Sequence, residues 1–245
     1  MAALDRSLIA DIPVFAGLGP DDLDFVLSHA KSVRYPKGAV VFEQGAQADG
    51  FFVLLHGNLQ VVKLTPAGQQ VVIRYVVPGD LFGIAVQMGR PHYPATAAAV
   101  VDSVSLVWPS SSWPLLMARC PSLASGALQT VGSRLDDAHV RVVEMSTEEV
   151  ERRVAHTLLR LAKQSGRKVE EGIQISFPIT REDVAQMTGT TLHSVSRILS
   201  AWETQGLVEG GRQRIVVRDP HRLFGLAEGR GAVPRQAGST SAGRP

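Results

Sequence analysis

The sequence predicts an α+β chain: a β-rich N-terminal part, one long helix, and a mostly helical C-terminal part that includes a hairpin. Three observations predict it. Short runs rich in Val, Ile, Leu and Phe, separated by glycines, fill residues 33–108. Apolar residues then recur at alternating steps of three and four from 128 to 145. Beyond residue 180, two short helical patterns joined through a glycine precede a second β-like stretch.

Taking the elements in order, "VVFEQG", "GFFVLLHGNLQVVKL", "QQVVIRYVVPGDLFG" and "VDSVSLVWP" read as short strands bounded by turn residues. Gly45, Gly57, Gly68 and Gly79 punctuate them at intervals of 12, 11 and 11 residues, the spacing of a sandwich or roll. "TPAGQQ" at 65–70 is a hairpin turn by composition. In the long helix, Leu128, Val131, Leu135, Ala138, Val142 and Met145 occupy a and d positions, with Asp136, Asp137, Arg141 and Glu144 off that line. So narrow a stripe is a coiled-coil seam and predicts a dimer helix. "STEE" at 146–149 has the form of a capping box and predicts a hinge. "VERRVAHTLLRLAKQSG" is an amphipathic helix ending at Gly166, and "GIQISFPI" reads as a strand. Thr180 and Asp183 form a second capping box, opening a short helix that Gly189 stops. "TTLHSVSRILSAWETQG" is the next helix, stopped by Gly206, and "LVEGGRQRIVVRD" is a hairpin predicted to turn at Gly210–Gly211.

Composition bounds the function. No apolar run reaches the roughly 18 residues that a membrane span needs. The start, "MAALDRSLIADIPVF", carries acids where a leader would be basic. A single cysteine, Cys120, is incompatible with an internal disulfide framework and fits a cytoplasmic protein. It also excludes an iron–sulfur cluster or zinc site built from four thiolates of one chain. With only Arg119 as a basic neighbour, it reads as a buried inert thiol. There is no nucleophile elbow, metal-binding His pair or phosphate loop, so the chain does not read as an enzyme. The net charge of +2 is uneven: residues 1–117 carry −2 and residues 151–218 carry +4, which suits a polyanion partner for the second region.

Helix, short glycine turn, helix and hairpin make a winged helix-turn-helix arrangement. On its second helix Val195, Ile198, Leu199 and Trp202 form the buried stripe, leaving His193, Ser196, Arg197 and Ser200 outward. Short side chains there let a helix fit a major groove, and Arg197 can make a two-pronged contact to guanine. Ser196 and His193 suit base edges or phosphate. Thr180, Thr190 and Thr191 at helix starts, with Arg212 and Arg214 on the hairpin, suit the DNA backbone.

"FAGLGPDDLDFVL", "KGAVVFEQGAQADGFFVLLHGNLQVVK" and "ITREDVAQMTGTTLHSVSRILSAWETQGLV" together resemble the cyclic-AMP receptor protein/fumarate-nitrate reductase regulator (CRP/FNR) family, from about Phe15 to Leu226. The resemblance implies a cyclic-nucleotide-binding-like β-roll with an N-terminal helix over 1–117 and a dimerisation helix over 118–146. A winged helix-turn-helix DNA-binding domain over 147–228 and a disordered tail over 229–245 complete it. It also implies double-stranded DNA and a second copy as partners, with RNA polymerase joining if the regulator activates. The effector pocket it implies involves Gly83, Ile84, Pro94 and Ala95, completed by Ala138 and His139 of the dimer helix. Cyclic-nucleotide binders carry Gly-Glu-Leu and then Arg-Ser here. Ile84 replaces the glutamate and Pro94-Ala95 the Arg-Ser pair, so no fork meets a phosphate, and cyclic AMP is disfavoured. Arg90 is the one nearby substitute. His193 stands where the fumarate-nitrate branch has glutamate, while Ser196 and Arg197 match it. In this and in "RPHYPATAAAVVDS" the chain is most similar to nitric-oxide-responsive regulators of denitrification genes (the NnrR/DNR type), a branch implying haem as sensor with His92 and His139 as ligand candidates. A cyclic-nucleotide-binding regulator and an effector-independent one stay open beside it.

Overall fold

The computed structural model describes Asp5–Arg230, so most of the predicted tail, 229–245, lies outside the described residues. Helix α1 (Pro20–Ser28) leads into eight strands: β1 (Lys31–Tyr35), β2 (Val40–Phe42), β3 (Gly50–His56), β4 (Leu59–Leu64), β5 (Gln70–Val76), β6 (Leu81–Phe82), β7 (Thr96–Ala99) and β8 (Ser103–Pro109). They form two antiparallel sheets, β1-β8-β3-β6 and β2-β7-β4-β5. Strand alternation explains why β3 is buried on both faces. Phe52 and Leu54 point between the sheets, with Leu59, Val76, Phe82, Ala97 and Ala99. Phe51 and Val53 point the other way, against α1, Trp108 and the helices that follow the roll. Trp108 is fully buried and donates its indole N–H to the Val26 carbonyl at 2.8 Å, which fixes α1 to the roll. Gly57 turns β3 into β4 at φ +87°, where a Cβ would sit 2.3 Å from Ser103 Oγ.

Helices α2 (Trp113–Arg119) and α3 (Ser122–Thr147) follow. The 26 residues of α3 extend about 39 Å at 1.5 Å per residue. The C-terminal domain contains α4 (Val150–Ser165), β9 (Gly166–Val169), β10 (Gly172–Ile175), α5 (Arg181–Thr188), α6 (Leu192–Thr204), β11 (Val208–Gly211), β12 (Arg214–Val217) and α7 (Pro220–Ala227). Its sheet has the order β11-β12-β10-β9. The core of this domain is Val154, Leu158, Leu161, Val184, Val195, Leu199, Trp202 and their neighbours, and it continues into Val72 and Tyr75 of β5. Tyr75 packs on Phe177 with centroids 4.2 Å apart, and Gln60 Nε2 donates to Asp183 Oδ1 at 2.9 Å. The β4–β5 hairpin therefore grips the first helix of the helix-turn-helix.

Several expectations need correction. The capping box at 146–149 does not form: Ser146 is still within α3, and its hydroxyl donates to the Val142 carbonyl. The residue before α4 is Glu149, with no side-chain cap, so the long helix runs past Ser146 and breaks at Glu148–Glu149. The hairpin turns at Arg212–Gln213 instead of Gly210–Gly211, with Gln213 in the left-handed region at φ +57°. Gly210 lies in β11 beside the end of the Glu203 side chain. Strands β1, β7 and β9 and helices α2 and α7 are additions to the sequence reading. The Thr180–Asp183 box forms reciprocally.

Candidate nucleic-acid interface

Helix α6 is positioned by its buried stripe. Val195, Ile198, Leu199 and Trp202 sink into the domain core, and Trp202 donates its indole N–H to Glu151 Oε1 at 2.9 Å. A 3.6-residue period then turns His193, Arg197 and Ser200 to water and leaves Ser196 half-buried. Arg197 enters no ion pair among the described residues, so its fork of five N–H donors is open to a ligand. The start of the helix is fixed by Thr191, whose hydroxyl accepts from the Ser194 N–H at 3.1 Å. Gly189, at φ +61°, makes the turn between α5 and α6.

The structure separates the nominated DNA-contacting residues into two groups. His193, Arg197, Ser200 and Arg212 are exposed. Thr180 and Thr191 are helix caps whose hydroxyls are already engaged, and Thr190 is half-buried in the turn. Arg214 is held by Glu209 at 2.8 Å and lies 4.0 Å from Glu171, so it stiffens the hairpin. Two further residues escaped the sequence reading. Leu192 is exposed in the first turn of α6, an apolar surface suited to a thymine methyl. Arg181, in the first turn of α5, reaches Glu203 at 2.9 Å and the Ser200 hydroxyl at 3.4 Å, and thereby locks the two helices together. An arginine immediately after the capping threonine was the available signal for it.

On α3, Leu128, Leu135, Ala138, Val142 and Met145 are exposed and Val131 is half-buried, so the seam forms one open apolar line. The nominated effector residues differ in burial. Gly83 abuts the Phe52 ring, where a Cβ would come within 2.6 Å. Ile84 is buried in the core outside the roll, Ala95 is buried, and Pro94, Ala138 and His139 are exposed. A cavity of about 760 Å³ lies between β5, α3 and the C-terminal domain, and of these six residues only Ala138 lines it. The interior of the roll is filled with aromatic rings. Tyr93 stacks on Phe42 at 3.9 Å, Phe52 on Phe82 at 5.0 Å, and the Tyr93 hydroxyl donates to the Gly50 carbonyl at 2.7 Å. Burial pushes the Tyr93 phenol above its ordinary range.

A haem does not fit these residues. It needs an apolar slot with an imidazole inside; His92 and His139 are both on the surface, neither lines the cavity, and rings occupy the roll interior. Among the described residues no group of three or more His, Cys, Asp or Glu side chains could hold a metal ion. No described helix is long and apolar enough to cross a membrane. Cys120 is buried, and burial raises its thiol above the usual range, so it is not an activated thiolate.

A roll, a long helix with an open seam, and a winged helix-turn-helix with an outward-facing arginine define a DNA-binding transcription regulator. Comparison with known proteins gives the family. Residues 32–120 match the cyclic nucleotide-binding domain, and residues 152–225 match the Crp-like helix-turn-helix domain. The cyclic AMP receptor protein of Thermus thermophilus is 30% identical over 219 residues, covering 88% of this chain and 98% of that protein. The transcriptional activator protein FnrA of Stutzerimonas stutzeri is 22% identical over 209 residues, covering 85% and 84%. Among solved structures, FixK2 from Bradyrhizobium japonicum has a TM-score of 0.71 at 25% identity, covering 80% of this chain and 96% of that one. The chain belongs to the CRP/FNR family of transcription regulators. It is a DNA-binding regulator and not an enzyme.

Proposed function

We propose that the regulator acts as a homodimer joined along α3 and reads a pseudo-palindromic operator with its two α6 helices. The observation that carries this reading is the open seam: Leu128 and Val142 leave 71% and 61% of their surface in water, in line with Leu135 and Met145. A second α3 would cover that line by knobs-into-holes packing, and the two-fold axis would make the contact self-complementary. The same axis would set two α6 helices about one DNA turn, roughly 34 Å, apart. In each half-site Arg197 pairs with a guanine, His193 and Ser196 meet neighbouring base edges, and Ser200 and Arg212 meet the backbone. Thr180 and Thr191 support them as caps, with Thr190 in the turn between. Sedimentation of the purified chain at micromolar concentration tests the dimer directly: a twofold mass supports it, and a lone subunit contradicts it.

What switches the regulator is a separate matter. Pro94-Ala95 in place of a phosphate-binding Arg-Ser pair supports an effector other than cyclic AMP. Control of nitrogen-oxide genes by nitric oxide is a second reading, which rests on the resemblance carried by His193 at the position of the branch glutamate. Since the residues do not fit a haem, an absorption spectrum with added hemin, with and without nitric oxide, should show no Soret shift, and a shift would overturn that reading. If the regulator activates, RNA polymerase is its second partner.

A further inference from the structure

Three helix ends meet at the break between α3 and α4. A helix leaves its last carbonyls without intrahelical partners and with partial negative charge. Here the carbonyls that end α3, α5 and α7 are all taken by two neighbouring arginines of α4. Arg153 donates from Nη1 to the Glu148 carbonyl at 2.8 Å and from Nε to the Thr188 carbonyl at 3.1 Å. Arg152 donates from Nε to the Ala227 carbonyl at 2.8 Å and from Nη2 to the Glu148 carboxylate at 3.2 Å. Glu151, one residue earlier, accepts the indole N–H of Trp202 on α6. The first turn of α4 therefore reaches α5, α6 and α7 at once, and Glu148 ties it to α3.

A second contact falls on the same place. Met145, the last residue of the seam, sets its methyl beside Gly189: a Cβ there would lie 2.8 Å from Met145 Cε. Two side chains from the region of the break, Arg153 and Met145, thus bear on the successive residues Thr188 and Gly189. Thr188 is buried, and its hydroxyl donates to the Val184 carbonyl at 2.7 Å. Only Thr190 and Thr191 separate Gly189 from the start of α6. The Thr190 N–H donates to the Ala185 carbonyl at 3.1 Å and Thr191 caps α6, so the turn has little slack. A displacement of the end of α3 is therefore passed to α6 through packed and hydrogen-bonded neighbours.

We propose that Arg153 and Met145 are positioning residues that carry the orientation of α3 onto the turn before α6, and so set which spacing of half-sites the regulator accepts. Neither is on α6, so the base preference within a half-site stays with Arg197 and its neighbours. The proposal rests on the paired reading above, in which any tilt of α6 against α3 is repeated in the second copy. One base pair more or less between half-sites moves them by about 3.4 Å and turns them by about 35° around the duplex. A stiff joint between α3 and α6 accepts one such setting, and a loosened joint accepts several.

A gel-shift titration of the full chain tests it, using inverted repeats of one selected half-site whose spacing is changed by one base pair either way. The wild type should prefer one spacing. Arg153→Ala removes charge-assisted bonds to two helix ends, and should lower the ratio of affinities between preferred and shifted spacings about 10-fold. Base preference and sedimented mass should stay as in the wild type. Met145→Ala should lower the ratio by a smaller factor. Arg153→Lys, which keeps the charge and loses the fork, should fall between wild type and alanine, and keeps the test readable if Arg153→Ala fails to fold. Arg212→Ala, at the hairpin tip, should weaken every spacing alike. An unchanged ratio in Arg153→Ala, or affinity lost equally at all spacings, would overturn the proposal and leave the paired reading standing. A wild type that binds every spacing equally would overturn it too, and one that sediments as a lone subunit would remove the paired reading with it.

Discussion

Helices α3 and α6 both leave one long face in water, and the two faces have opposite chemistry. That of α3 shows Leu128, Leu135, Val142 and Met145, whereas that of α6 shows His193, Arg197 and Ser200 with Leu192 as its one large apolar member. An apolar line on a helix is unstable in water and calls for another apolar line. A short-armed polar face with one unpaired arginine calls for hydrogen-bonding edges and negative charge. On the proposed reading one helix meets a second protein helix and the other meets DNA, and the period of each sequence sets which residues share the face.

The comparison can be broken most sharply on the α3 side. Replacing both Leu135 and Val142 by aspartate places carboxylates in a seam that must become dry, at a cost of several kcal/mol per buried unpaired charge. The variant should sediment as a monomer and lose specific operator binding while keeping its circular dichroism spectrum. A dimer of unchanged stability would show that this face is not the joint. On the α6 side, Arg197→Ala should cost about 1–3 kcal/mol in affinity for the selected operator and relax the preference at one base pair. Wild-type specificity in a gel-shift titration would remove the arginine from base recognition. Arg212→Ala is the milder change. A phosphate contact should weaken all sequences alike and lower the slope of log affinity against log salt by about 1 per chain. An unchanged slope would place the hairpin tip off the DNA. Smallest is Ser146→Ala: since the hydroxyl bonds its own helix, thermal stability should change by less than about 0.5 kcal/mol. A loss near the full value of a helix cap would restore the capping box that the structure lacks.

Much of this was legible in the sequence because the decisive signals are periodic. The roll strands, the seam of α3, both faces of α6 and the Thr180–Asp183 box follow from apolar spacing and cap chemistry. Other parts carry no such signal. Strand β7 is Thr-Ala-Ala-Ala, which has little strand propensity, yet Ala97 and Ala99 are small because they pack in the cluster with Phe52, Phe82 and Tyr93. A glycine pair is ordinarily a turn, whereas Gly210 lies in β11 beside the Glu203 carboxylate. Ser146 and Glu149 have the right spacing for a cap, but the long helix continues through the serine. Asp137, Arg141 and Glu144 were visible only as residues off the seam. That they wall a cavity beside the roll depends on how α3 lies against β5, which no local pattern encodes.

The most direct measurement is selection of bound DNA from a random pool by the purified full-length chain, followed by sequencing. Two α6 helices related by the seam of α3 require an inverted repeat whose half-sites are centred about one helical turn apart, each with a guanine whose preference disappears in Arg197→Ala. A single unrepeated site, a direct repeat, or no enrichment would contradict the paired arrangement.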